Sequence, residues 1–78
     1  MTTLIYLKEL RHKGACWQTQ IKADKLFKQL KSLLLDSEFI ELSIAHNHYL
    51  LGEGPEEFYD KCNKLITKYE RPHNGGVF

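Results

Sequence analysis

The sequence predicts a single small α+β domain with the element order β-β-α-β-β-α, an antiparallel sheet carrying both helices on one face. Three observations lead there. Asp24–Asp36 has a helical apolar stripe, alternating stretches flank it on both sides, and a second amphipathic run follows Pro55.

Thr2 to Leu10 holds Leu4, Ile5, Tyr6 and Leu7 in a row. The run is too dense in apolar residues for clean alternation and too short to fix a helix. It reads as a buried strand, with a helix as the alternative. Arg11-His12-Lys13-Gly14 reads as a turn. Ala15 to Ala23 alternates, with Trp17, Thr19, Ile21 and Ala23 toward the core and Cys16, Gln18, Gln20 and Lys22 away from it. The two strands and their glycine-containing loop make a hairpin.

The central helix is expected over Asp24–Asp36, with Asp24 as N-cap and Leu26, Phe27, Leu30, Leu33 and Leu34 on one stripe. Lys25, Lys28 and Lys31 occupy the opposite face. Phe39 to Ile44 then alternates again, and a turn at His46-Asn47 would pair it with Tyr49-Leu50-Leu51 as a second hairpin. One long strand to Leu51 is the competing reading. Pro55 suits the first position of a second helix, and Glu56 and Glu57 suit its positive end. Phe58, Cys62, Leu65, Ile66 and Tyr69 line one face of that helix, Lys64, Lys68 and Arg71 suit its end, and Pro72 stops it. The domain thus spans residues 1–71, and 72–78 reads as a flexible tail. The halves align at an offset of 32 residues, Leu10 on Leu42 and Trp17 on Tyr49, a correspondence that shared architecture suffices to explain.

At 78 residues the chain is one domain. Domains this short bury only about 60% of their unfolded surface, so a partner would add needed stability. Two cysteines fall short of a disulfide scaffold. The first residues lack the apolar core and cleavage site of a signal peptide, and no run reaches the ~20 apolar residues that span a bilayer. A cytoplasmic protein with reduced thiols, without membrane association, is expected.

The net charge is +1, but unevenly spread. Residues 1–31 carry seven basic groups (Lys8, Arg11, Lys13, Lys22, Lys25, Lys28, Lys31) against Glu9 and Asp24. Residues 32–60 carry seven acids (Asp36, Glu38, Glu41, Glu53, Glu56, Glu57, Asp60) and no Lys or Arg. Either the patches face each other, or one of them docks on a partner of opposite charge.

No catalytic set emerges. His46 and His48 on one strand could share a metal with Cys16, Cys62 or His12, but zinc sites carry paired ligands at tight spacing and only one such pair exists here. No metal and no cofactor are expected. Cys62 falls on an apolar helix face, and Cys16 lacks an orienting base. Gly52-x-Gly54 is flanked by acids that would repel a phosphate.

The expected function is therefore non-catalytic: a protein-binding module, inhibitor or adaptor, acting on a larger protein or nucleoprotein complex. Phage- and plasmid-encoded anti-defence inhibitors, anti-CRISPR proteins among them, share this general character, although no residues here match such a family. The candidate contact residues are Arg11, Lys13, Lys25, Lys28 and Lys31, or the acidic set Glu53, Glu56, Glu57 and Asp60. The alternative is a small nucleic-acid-binding regulator using the basic turn and first helix, against which stands a pI near 7.8. Homodimerisation through open sheet edges is compatible with both.

Overall fold

The structure, a computed structural model, describes residues 2–70. It is helical throughout: α1 (Thr2–Lys13), α2 (Gln20–Lys31), α3 (Asp36–Leu50) and α4 (Glu56–Glu70), with a 3₁₀ turn at Trp17–Thr19. No strand occurs among the described residues, so the predicted α+β sheet and both hairpins are overturned. The expected tail at 72–78, with Arg71 and Pro72, lies outside the described residues.

Each misread strand has a specific cause. In α1 the residues that reach the core are Thr3, Leu7 and Leu10, spaced four and three apart, while Ile5 in the apolar run stands 55% exposed. Arg11, His12 and Lys13 form its last turn, where their charge suits the negative helix end, rather than a hairpin loop. Ala15 to Ala23 divides among a connecting turn at Ala15-Cys16, the 3₁₀ turn and the start of α2, so Trp17 and Ile21 face solvent while Ala23 is buried. In α3 the alternating Ile40, Leu42 and Ile44 split: Leu42 is fully buried and both isoleucines lie outward. His46-Asn47 is no turn but mid-helix, which sends His46 into the interior and leaves His48 half-exposed.

The two predicted helices are present with altered limits. α2 begins at Gln20, so Asp24 lies inside it rather than capping it. Leu26, Leu30 and Leu34 are buried and Phe27 packs beside them, whereas Leu33 is exposed. α4 buries Phe58, Cys62, Leu65 and Ile66, with Tyr69 packed at the margin. Pro55 directly precedes it, and the Pro55 carbonyl accepts the first helical bond from the Tyr59 N–H at 2.9 Å.

α1 packs on both α2 and α4, and α3 packs on α4 with lighter contact to α2. The four inner faces meet in one apolar cluster in which Phe58, Leu7, Leu10, Leu30 and Leu42 are among the fully buried side chains. Burying one such side chain contributes roughly 1.5–3 kcal/mol.

Three local devices set the joints between helices. At the first, Gly14 leaves room for Phe58: a Cβ there would stand 2.6 Å from the phenyl Cζ and 2.8 Å from the Leu10 carbonyl oxygen. At the second, Glu38 closes α3 by accepting the Leu35 N–H at 3.0 Å. It also accepts from the Tyr69 hydroxyl at 2.6 Å and pairs with Lys68. Burial pushes the Glu38 carboxyl up, but these donors outweigh it and hold the group below the usual range. At the third, α3 ends in a Schellman motif: Glu53 N–H donates to the His48 carbonyl at 3.0 Å and Gly52 N–H to the Tyr49 carbonyl at 3.1 Å. Gly52 sits there at φ 103°, a conformation that glycine adopts without Cβ strain.

Candidate functional site

The helical start at Gln20 turns four lysines into a surface. Lys22, Lys25, Lys28 and Lys31 are all exposed on α2, each step about 4.5 Å along the axis and about 60° around it, so Lys25 and Lys28 form the middle of an arc that spans about half the helix circumference. Ile21, Lys25 and Lys28 fall in line at i, i+4 and i+7, and Trp17 stands one turn before Ile21. Ile21 is 77% and Trp17 60% exposed. The indole is not loose: it stacks on Tyr49 of α3, with centroids 5.2 Å apart and planes 27° apart. An open groove between α1 and α2, lined by Tyr6, Glu9, Lys13, Lys22, Lys25 and Gln29, runs beside this face.

Ion pairing separates these lysines from the others. Lys8 pairs with Glu70, Lys13 with Glu9, Lys61 with Glu41 and Lys68 with Glu38. Among the described residues no ion pair involves Lys22, Lys25, Lys28 or Lys31. Glu38 and Glu41 of α3 thus meet α4 rather than α2, and Asp24 is the one acid that α2 itself carries.

The candidate residues read from sequence do not form one site. Lys25, Lys28 and Lys31 share the α2 face, and Lys13 borders it through the groove while also bonding Glu9 at 3.0 Å. Arg11 turns toward α4 and donates to the Asn63 side-chain oxygen at 2.6 Å. Glu53, Glu56, Glu57 and Asp60 are all exposed around the α3–α4 corner, where among the described residues Glu57 accepts from no lysine but lies 2.8 Å from His48 Nδ1. Ile21 and Lys22 are not among the contact residues the sequence singles out, and Trp17, a possible base-stacking ring expected on the core side of a strand, stands exposed instead. Their signal is present in the sequence, since Trp17, Ile21, Lys25 and Lys28 keep helical spacing, but only if the helix starts before Asp24.

The two thiols differ. Burial pushes the Cys62 thiol up to about 12, which removes it as a nucleophile at neutral pH. Cys16 is lowered by hydrogen bonds from the Gln18 backbone and the Thr19 side chain; neither is a base that could take its proton. His46 is buried between Phe27 and Phe58, with ring centroids 4.8 Å and 5.3 Å away. Burial lowers its affinity for a proton, against the opposing pull of the Gly14 carbonyl and Asp24. It fits a neutral core histidine rather than a catalytic base.

No helix among the described residues is long and apolar enough to cross a membrane. No protein-family model, curated protein or solved structure matches the chain.

Proposed function

We propose that this chain is a non-catalytic protein-binding module, an inhibitor or adaptor that docks on an acidic surface of a larger protein through α2. The supporting observation is the run of lysines on α2 that lacks ion-pair partners among the described residues, while Lys8, Lys13, Lys61 and Lys68 are each engaged within the chain. Trp17 and Ile21 add an exposed apolar anchor at one end of the charged row, and an aromatic that a partner can bury beside long-range charge is the composition of a docking surface.

Nucleic acid is the second reading, favoured by the exposed, pre-stacked Trp17 beside lysines, a combination that suits a base and its phosphate. The acids at the α3–α4 corner lie outside the lysine face on this fold and do not interrupt it.

Affinity capture from lysate, with and without nuclease, discriminates the two. A stoichiometric protein partner that survives nuclease and is lost on Lys25→Glu/Lys28→Glu/Lys31→Glu supports the first reading. Partners that vanish with nuclease support the second. A protein partner that tolerates the triple reversal removes α2 as the docking face.

A further inference from the structure

We infer that His48, Glu53 and Glu57 bind one divalent transition-metal ion of the zinc class at the corner where α3 turns into α4. This inference is independent of the docking function proposed for α2. The three side chains each place a donor atom within 4.8 Å of the other two. Donors around a tetrahedral zinc ion at ~2.0–2.2 Å lie ~3.3–3.6 Å apart, so closing the set needs side-chain shifts of up to about 1.5 Å, within reach of exposed glutamates.

The backbone explains why they converge. The Schellman motif ties the Glu53 N–H to the His48 carbonyl at 3.0 Å, which fixes two of the three residues on one turn. Pro55 then starts α4 so that Glu57 falls in its first turn, where its carboxylate already meets His48 Nδ1 at 2.8 Å. One ligand therefore comes from the end of a helix, one from the loop and one from the start of the next helix. A metal there would clip α3 to α4.

The donor set selects the ion. One imidazole with two carboxylates suits zinc, cobalt or nickel, whereas calcium takes oxygen ligands and six to eight of them. Charge favours a cation as well. Residues 32–60 carry no Lys or Arg, and Glu56 and Asp60 are exposed on the same turns of α4. Unlike Glu38 and Glu41, neither Glu53 nor Glu57 pairs with a lysine among the described residues. Three protein ligands leave one tetrahedral position for water or a ligand from a partner.

The test is calorimetric titration of the metal-stripped full chain with zinc chloride, repeated with calcium chloride, alongside thermal unfolding followed by circular dichroism. One zinc per chain should bind, raise the unfolding midpoint and leave calcium without a comparable effect. His48→Ala and Glu57→Gln should each weaken zinc roughly tenfold or more, while His12→Ala should not. Both altered side chains are surface-exposed, and an unchanged far-ultraviolet spectrum confirms that the variants fold. Absence of saturable zinc binding up to millimolar concentration would overturn the site. So would zinc binding that His48→Ala leaves intact, or calcium binding of equal strength.

Discussion

His46 Nε2 lies 2.9 Å from the side-chain oxygen of Gln20, so the third helix holds the first residue of the second. The Gln20 amide nitrogen in turn donates to the Gly14 and Cys16 carbonyls, each at 2.9 Å. These two bonds fix which end of the amide faces the ring, and therefore place the imidazole proton on Nε2. One neutral histidine wedged between Phe27 and Phe58 thus orients the Gln20 amide at the joint between α1 and α2, which the Thr19 hydroxyl also ties by donating to the Lys13 carbonyl at 2.7 Å.

That arrangement predicts destabilisation by acid. Burial holds the folded His46 below its ordinary pKa of 6.5, so the unfolded chain takes up the proton first as pH falls. The contribution is absent above about pH 7 and grows as pH drops below 6.5, until the folded ring also protonates. Each pH unit over which the folded chain stays the less protonated is worth about 1.4 kcal/mol. His48 works in the opposite sense: its bond to Glu57 raises its affinity for a proton, so its contribution is present below 6.5 and fades as pH rises. Urea unfolding at pH 8 and pH 5.5, compared between the native chain and His46→Gln, separates the two. The native chain should lose more stability on acidification than the variant. An equal loss in both would place the proton uptake elsewhere.

How much of this was legible follows from the distribution of apolar residues. α4 is readable because its apolar residues form one stripe and its first turn is marked by Pro55, Glu56 and Glu57. The central run is readable for the same reason, although Asp24 mimics a cap inside a helix that begins four residues earlier. α1 and α3 mislead because both carry apolar residues on their outer faces. Ile5, Ile40 and Ile44 are all about half exposed, and together with their buried neighbours they imitate the dense or alternating patterns of strands. The lysines of α2 were legible as a face. The convergence of His48, Glu53 and Glu57 was not, because a turn at His46-Asn47 separates residues that a continuous helix and its Schellman ending bring together.

Gly14→Ala should destabilise the fold even though its backbone conformation is open to any residue. The added Cβ meets Phe58 Cζ at 2.6 Å and the Leu10 carbonyl oxygen at 2.8 Å. Phe58 is fully buried and the carbonyl belongs to the last turns of α1, so neither yields easily. Overpacking of this kind costs typically 1–3 kcal/mol. Chemical denaturation should show a loss in that range, and Phe58→Leu should recover part of it by withdrawing the ring atoms. A neutral Gly14→Ala would mean that α1 and α4 separate locally at no cost.

Trp17, the one tryptophan of the chain, reports directly on the α2 face. Its indole is 60% exposed yet stacked on Tyr49, so it contributes an aromatic pair worth about 0.5–1.5 kcal/mol rather than core burial. Trp17→Ala should therefore lower stability by about that much, measured by denaturation followed by circular dichroism. The same substitution should weaken partner capture by a larger factor, because a partner covering the lysine row also covers the exposed ring. In the intact protein, partner binding should shift the indole emission to shorter wavelength as water leaves it. The charge-reversed α2 variant should keep the free-state emission and lose that shift. A loss of several kcal/mol on Trp17→Ala would instead assign the indole to the core, and unchanged capture would remove it from the docking surface.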